Sequence, residues 1–443
     1  MDSGMQVSVT TTHGLERRIE VAVPGERLAG EVDQRLKRLA RTARVKGFRP
    51  GKVPYAVVKQ QFGPQVRAEA VSELMQTTFA EAVTQQKLRP AGGPRIEPIE
   101  TEPGNELRYT AIFEIFPEVI LKPLTAAQIE RPVVTITDAD IDAMLENMRA
   151  QRPQFTEISG SPGKGDRVTI DYEGRVEGAA LSGAKGVAVP IIIGEQRVLP
   201  EIEQALTGMS AGQTRTITLR FPDNYAVKEV VGKEAEFDLK VLKVEQRSLP
   251  ALDDAFAQSF GVPSGGMPAL REEVRKSMER EIADHTRSKL REQLFDLLYR
   301  DHPLELPRSM VDQQIGELQA DMAQRLHVHD PRQLPAREAF EESARRRVAL
   351  GLLVAEILRT QEIKADRAKV EQRVEAAAAQ HENPLEARRH YLSSREIMQQ
   401  FESAVLEEQA VDWMLTQVKV VDRPSSFQEL TGFGQRATEP KTE

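Results

Sequence analysis

The segment at positions 47–54 carries the clearest chemical signal in this chain. It reads Gly47-Phe48-Arg49-Pro50-Gly51-Lys52-Val53-Pro54. Two glycines and two prolines predict an abrupt turn between helices that presents Phe48, Arg49 and Lys52 at its tip. Guanidinium and ammonium groups bind phosphates, and an aromatic ring stacks on a base or fills a pocket. The pattern favours an RNA-containing partner; the alternative is an ordinary helix–turn–helix loop with Phe48 in the core.

A nucleotide-binding P-loop does not fit the same segment. The spacing from Gly47 to Gly51-Lys52 is one residue short, and Val53 stands where a serine or threonine would reach magnesium. We therefore expect no nucleotide and no other cofactor. We also expect no metal site, because the pair His327 and His329 supplies only two ligands in a polar loop.

Positive charge is concentrated around this segment. The chain has 443 residues and a net charge of −8. A stretch without Asp or Glu contains ten basic residues: Arg35, Lys37, Arg38, Arg41, Arg44, Lys46, Arg49, Lys52, Lys59 and Arg67. Without these ten positive charges, the net charge of −8 becomes −18. Such asymmetry indicates a localised anionic partner, with nucleic acid as the leading candidate and a solvated helix face as the alternative.

Composition indicates the compartment. The chain has no cysteine, which excludes disulfides and thiolate metal sites and is typical of a cytosolic protein. No signal-peptide pattern is evident at the start. The longest apolar stretches, such as residues 348–353, are far shorter than the roughly 20 residues of a membrane helix. We expect a cytoplasmic protein with no membrane partner.

The elements that position the segment are strands and helices. Residues 15–23 and 107–116 alternate apolar and polar side chains, which predicts half-buried strands. Apolar residues at steps of three and four from Leu28 to Ala43 predict a helix, which we expect Gly47 to stop. The sequence therefore predicts an α+β domain.

We expect two further helices after the segment. Pro54 is suited to open the first, which would end at Gly63-Pro64 because both residues disfavour helix interiors. A separate helix would then carry Val66, Ala70 and Leu74 to the core.

The residue pattern changes twice in the rest of the chain. Short strands and glycine turns, with one helix near Pro200, predict an antiparallel module, and the sequence beyond it is almost wholly helical, including a long helix at 267–300. Further helices are expected at about 336–362, 365–380 and 393–419. These textures predict an N-terminal domain at 1–117, a connector at 118–153 that packs with the C-terminal domain, the module at 154–247, a helical domain at 248–425 and a flexible tail at 426–443. In the connector, Thr137 and Asp140 fit a helix capping box.

The loop at 47–54, in this α+β context, resembles the ribosome-docking signature of the bacterial trigger factor family. The resemblance covers essentially the whole chain, including residues 168–172 and 406–411. It implies a multidomain α+β protein: an α+β N-terminal ribosome-binding domain, an FKBP-like antiparallel β module with a short helix, and an all-α C-terminal chaperone domain with long protruding helices. It assigns ribosome binding to Gly47, Phe48, Arg49, Pro50, Gly51 and Lys52.

The resemblance also implies a function. It is that of an ATP-independent chaperone that meets nascent chains at the exit tunnel of the large ribosomal subunit, contacts its protein and RNA, and keeps unfolded chains open. The FKBP-like module would catalyse cis–trans isomerisation of X-Pro bonds. A homodimer is an alternative to the monomer for the free protein, and effects on protein export or cell division would follow from folding defects.

Seven positions map onto the isomerase cleft by this resemblance: Tyr172, Leu181, Val198, Leu199, Ile202, Tyr225 and Phe237. The reaction needs no nucleophile or metal, since a water-poor apolar cleft that favours the twisted amide is enough. In this reading the Tyr225 hydroxyl holds a substrate carbonyl. The sequence departs from the family at Ile202, where an aromatic floor is usual, at Leu181 and Val189, where Phe is common, and at Ser182, where an acidic residue is common. These changes predict weak activity; the alternative is a barrel core without a working cleft.

Two other functions remain open on the sequence alone. One is a peptidyl-prolyl isomerase that acts mainly as a free enzyme, whose role would disappear on replacement of Tyr225 and Phe237. The other is a nucleic-acid-binding regulator, which would bind isolated RNA or DNA with a steep salt dependence.

Overall fold

The structure of the protein is a computed structural model. It describes residues 5–43, 45, 48, 53–99, 106–176, 179–195, 197–221, 231–328, 330 and 333–434. The chain divides into two compact units, Met1–Arg131 with Ser288–Asp422 and Pro132–Arg287 with Arg423–Glu443. Within the described residues, no helix is both long and apolar enough to span a membrane.

The N-terminal part of the first unit is a four-stranded antiparallel sheet with two helices. Its strands are β1 (Gln6–His13), β2 (Glu16–Val23), β3 (Arg95–Ile99) and β4 (Leu107–Glu114), and its helices are α1 (Gly25–Thr42) and α2 (Tyr55–Gln85). The strand order is β1-β2-β4-β3. The predicted strands at 15–23 and 107–116 are confirmed as β2 and β4. Ile19, Tyr109 and Ala111 lie at the centre of its core.

The prediction that a helix ends at Gly63-Pro64 is wrong. Helix α2 runs without a break from Tyr55 to Gln85 and contains Pro64. A proline in a helix interior costs about 3 kcal/mol because it removes a hydrogen bond. Here its ring is exposed, while Val58 and Val66 on either side are buried, and this packing outweighs the local cost. The predicted stop of α1 at Gly47 lies outside the described residues.

The second unit contains the antiparallel module that the sequence predicts. Its strands are β6 (Gln154–Glu157), β7 (Arg167–Val176), β8 (Ala179–Ile192), β9 (Thr214–Arg220) and β10 (Glu234–Ser248). They follow the order β6-β10-β7-β8, and β9 pairs with β10. One helix, α4 (Pro200–Thr207), begins at Pro200 as expected and contributes Ile202 and Leu206 to the module core.

The remaining elements are mostly helices. They are α3 (Asp138–Gln151), α5 (Asp254–Ser259), α6 (Gly266–Asp301), α7 (Arg308–Arg325), α8 (Glu338–Thr360), α9 (Arg367–Ala378), α10 (Pro384–Ser393), α11 (Arg395–Gln417) and α12 (Phe427–Thr431). The long helix predicted at 267–300 is confirmed as α6. The capping box of α3 is confirmed: Thr137 Oγ1 accepts from the Asp140 N–H, and the Asp140 carboxylate accepts from the Thr137 N–H.

Residues of the connector at 118–153 pack on these helices. Leu124 and Ile129 join a core with α6, α8 and α11, and Ile141 and Leu145 join a second core with α5 and α6. A two-stranded ribbon pairs β5 (Gln128–Val133) with β11 (Lys419–Pro424).

The expectation of a flexible tail from residue 426 is wrong for its described part. Phe427 and Leu430 in α12 are 2% and 9% exposed, and Phe427 packs in the same core as Ile141. Ser426 caps the helix by accepting a hydrogen bond from the Glu429 N–H at 3.1 Å. Two buried apolar residues and a cap are enough to hold a segment that looks polar on average.

Candidate functional site

The antiparallel module of β6 to β10 gathers six of the seven predicted cleft positions. Tyr172 on β7, Leu181 on β8 and Phe237 on β10 belong to one apolar cluster. The cluster also contains Val198 and Leu199, which precede α4, and Ile202 within α4. The seventh, Tyr225, lies outside the described residues.

Three aromatic rings lie close together in this cluster, with Phe237 between the other two. The ring centroids of Tyr172 and Phe237 are 6.4 Å apart, and those of Phe221 and Phe237 are 6.3 Å apart. Aromatic pairs at such separations contribute about 0.5–1.5 kcal/mol beyond the area they bury. The rings give the cluster a stiff wall that includes Tyr172, which is only partly buried.

Glycines in the strands make room for these rings. A Cβ at Gly174 would lie 2.8 Å from the Phe237 ring, and a Cβ at Gly186 would lie 2.4 Å from the Tyr172 ring. Neither glycine was predicted as part of the site. Glycine inside a strand is costly and usually marks a close approach of this kind, so its position in β7 and β8 is the signal that could have found them.

A local irregularity in β8 also shapes the cluster. Ala188 has a φ of +53°, and its N–H donates to Asp171 Oδ1 at 2.8 Å. The carboxylate thereby holds the backbone beside Val189, which packs against the cluster. Aliphatic side chains at Leu181, Val189 and Ile202 make an apolar environment that can desolvate an amide, which is the requirement for isomerisation without a nucleophile.

The predicted docking segment is described only in part. Phe48 is 40% exposed, and its N–H donates to the Val45 carbonyl at 3.0 Å. Gly47, Arg49, Pro50, Gly51 and Lys52 lie outside the described residues. Val53, where the segment leads into α2, is 6% exposed and packs with Leu36 and Val58 in a small cluster between α1 and α2.

The basic residues of this stretch that lie on α1 fall into two groups. Arg35 pairs with Glu73 at 2.5 Å and Lys37 with Asp33 at 2.7 Å, so their charges are neutralised locally. Arg38 and Arg41 are exposed on α1 and have no ion-pair partner among the described residues. These two cations remain available to an anionic partner.

A broad trough lies among the helices of the first unit, and no sequence pattern predicted it. Its volume is about 1000 Å³. Its apolar surface comes from three helices: Phe295 on α6, Leu350, Gly351, Val354 and Leu358 on α8, and Leu406 on α11. Charged residues share the lining, and Arg291 Nη1 donates to Glu407 Oε1 at 3.3 Å.

Comparison with known proteins decides the family. The model of the family described as bacterial trigger factor protein matches residues 5–148, and that of its C-terminus matches residues 266–416. The model described as FKBP-type peptidyl-prolyl cis-trans isomerase matches residues 159–242. The chain belongs to the bacterial trigger factor family.

Curated trigger factors are similar over nearly the whole chain. That of Thioalkalivibrio sulfidiphilus is 43% identical over 427 residues, covering 96% of this chain and 98% of the relative. That of Alkalilimnicola ehrlichii is 44% identical over 429 residues, covering 96% and 95%. A solved structure of a trigger factor chaperone aligns over 93% of this chain and 99% of its own, with 18% identity and a TM-score of 0.48.

Family membership confirms the resemblance drawn from the docking signature. The chain combines an α+β N-terminal part, an FKBP-type isomerase domain and a helical C-terminal part. It is a member of a chaperone family that serves protein folding.

Proposed function

We propose that the chain is a cytoplasmic, ATP-independent chaperone that docks on the large ribosomal subunit near the exit tunnel. It binds unfolded nascent chains in the trough and isomerises X-Pro bonds weakly in the FKBP-like cleft. The observation that carries the chaperone assignment is the trough itself, because a wide apolar surface can receive unfolded segments.

The lining of the trough favours many weak contacts over one specific ligand. The apolar side chains Leu350, Val354 and Leu358 follow one another along α8 at helical spacing. They offer a continuous strip that an apolar segment can meet in several registers. Such binding is reversible and needs no nucleotide.

Gly351 provides the test. It is exposed in the lining of the trough, and a Cβ there would meet nothing within 4 Å, so a side chain can be added without a clash. We expect Gly351→Lys to lower suppression of the aggregation of a denatured client, because an ammonium group is poorly solvated by apolar segments. Gly351→Leu is the matched control, and should suppress at least as well as the original protein. Equal suppression by both variants would exclude the trough as the client site.

The isomerase assignment is supported by the geometry of the module. Six of the positions predicted for the cleft belong to one cluster of apolar side chains, and this supports the proposal. Activity on a proline-containing peptide tests it. The aliphatic residue at Ile202, in place of an aromatic floor, is the reason to expect a low rate.

The docking assignment is supported by the exposure of Phe48 and by the exposed cations Arg38 and Arg41 of α1. We expect the combined change Phe48→Ala, Arg49→Ala and Lys52→Ala to reduce co-sedimentation with ribosomes at physiological salt. The original protein should prefer intact ribosomes over isolated RNA, and equal affinity for the two would favour a nucleic-acid-binding regulator.

A further inference from the structure

A hydrogen bond joins the two helices that flank the docking segment. The Tyr55 hydroxyl donates to Asp33 Oδ1 at 2.6 Å, linking the first residue of α2 to the middle of α1. The other carboxylate oxygen of Asp33 pairs with Lys37 Nζ at 2.7 Å. One carboxylate thus engages a partner on each helix.

The protonation of both groups suits this arrangement. Hydrogen bonds from Lys37 and from Tyr55 lower the pKa of Asp33, so the carboxylate is ionised at neutral pH. The hydrogen bond to Asp33 raises the pKa of Tyr55, so the phenol keeps its proton. A hydrogen bond from a neutral hydroxyl to a carboxylate is stronger than one between neutral groups.

The Tyr55–Asp33 hydrogen bond lies at the point where the docking segment leads into α2. Tyr55 directly follows Pro54, the last residue of the docking segment. Val53, which precedes Pro54, packs against Leu36 of α1. The apolar cluster and the Tyr55–Asp33 bond therefore fix where the segment enters α2 relative to α1. The two points of attachment lie within three residues of each other in the sequence.

We propose that the Tyr55–Asp33 hydrogen bond is a positioning clamp for ribosome docking. The proposal rests on the docking function proposed above. The clamp holds the start of α2 at a fixed distance from α1, so that α2 and the exposed cations Arg38 and Arg41 of α1 are presented to the ribosome in one fixed arrangement. Holding that surface in place before contact reduces the entropy lost on binding.

If only electrostatics mattered, removal of the Asp33 carboxylate would increase the affinity for the ribosome. Asp33 carries a negative charge and neutralises Lys37, so its removal makes this face more positive. A more positive face binds an anionic partner more tightly. Loss of affinity on removal of Asp33 can therefore be assigned to the clamp and not to charge.

Folding is not expected to obscure the effect. Tyr55 is 36% exposed, and exposed hydrogen bonds and ion pairs contribute little to global stability. Tyr55→Phe keeps the ring and removes only the hydroxyl. We expect its thermal unfolding to match that of the original protein, and circular dichroism checks this.

The experiment measures the affinity of the full-length protein for purified ribosomes. We expect Tyr55→Phe and Asp33→Ala each to weaken binding by about threefold to tenfold, and the double variant to lose no more than either single variant. Asp33→Asn removes the same charge but keeps an oxygen acceptor. It should bind at least as tightly as the original protein.

Three results would overturn the clamp. They are unchanged binding by Tyr55→Phe, unchanged or tighter binding by Asp33→Ala, and additive losses in the double variant, which would make Tyr55 a direct contact. The triple variant at Phe48, Arg49 and Lys52 serves as the reference. If it binds normally, the docking function itself fails; if it alone loses binding, only the clamp fails.

Discussion

Glu114 and Ser309 join the N-terminal sheet to the helical part of the same compact unit. The Glu114 carboxylate accepts hydrogen bonds from the Ser309 N–H at 2.9 Å and from its hydroxyl at 3.0 Å. Glu114 ends β4, and Ser309 lies in the first turn of α7. The first N–H groups of a helix have no partner within it, and a negative charge there is favourable. The sheet therefore caps the helix.

We expect Glu114→Ala to lower the free energy of unfolding by about 1–2 kcal/mol, the usual loss when a helix cap is removed. Urea denaturation checks this. Glu114→Gln keeps an oxygen acceptor and should lose less. Equal losses in the two variants would mean that the contact acts through its charge alone.

Glu245 should make the FKBP-like module sensitive to acid. It is 4% exposed, and hydrogen bonds from Arg167 and Lys243, both 2.7 Å long, lower its pKa from 4.5 to about 2. Because the folded pKa lies below the unfolded one, its stabilising contribution is complete above pH 4.5 and is lost as the pH falls towards 2.

The measurement is amide hydrogen exchange of β7 and β10 between pH 5 and pH 3, corrected for intrinsic rates. We expect the Glu245→Gln variant to be less stable than the original protein at pH 5. Its stability should then decrease less than that of the original protein as the pH falls. Glu201→Gln, at an exposed position of the same module, is the control. The prediction would be contradicted if the stability of the Glu245→Gln variant fell with pH as much as that of the original protein.

Tyr109 and Thr78 form a buried hydrogen bond in the N-terminal core. Their hydroxyl oxygens are 2.8 Å apart, both residues are fully or almost fully buried, and burial raises the pKa of Tyr109. We expect Tyr109→Phe to cost about 1 kcal/mol of unfolding free energy. The cost stays small because Thr78 Oγ1 also bonds the Leu74 carbonyl at 2.7 Å. The Tyr109 hydroxyl also donates to the Met75 carbonyl at 3.2 Å. A loss above about 3 kcal/mol would show that the hydroxyl contributes more than these two hydrogen bonds.

Restoring an aromatic floor should raise isomerase activity. Ile202 lies in α4 within the cleft cluster and is 9% exposed. We expect Ile202→Phe to increase the rate on a proline-containing peptide, because a ring gives a wider apolar surface for the twisted amide. Ile202→Ala should be slower than the original protein, and thermal unfolding of each variant separates activity from folding. A slower, fully folded Ile202→Phe would contradict the mapping of the cleft.

The sequence predicted features that depend on local pattern. Strands β2 and β4, the capping box at Thr137 and helix α6 follow from apolar periodicity or from hydrogen bonds within a few residues. The gathering of the cleft residues followed from the family resemblance.

Features that depend on distant packing were not predictable in this way. The continuity of α2 through Pro64 depends on burial against α1 and the sheet, and the order of Phe427 depends on residues such as Ile141. The trough is invisible in the sequence because its lining comes from helices far apart along the chain. Each feature depends on contacts between residues that are distant in the sequence, and a local sequence pattern does not identify such contacts.

The ribbon of β5 and β11 has a consequence for biosynthesis. The Lys419 N–H donates to the Ala127 carbonyl at 2.9 Å, and Arg131 and Asp422 form an ion pair although they are 291 positions apart. Translation is vectorial, so β5 emerges long before the strand that completes it exists. Until β11 has been made, β5 has an unpaired edge, and the emerging chain is itself an incomplete polypeptide like those that we propose it binds.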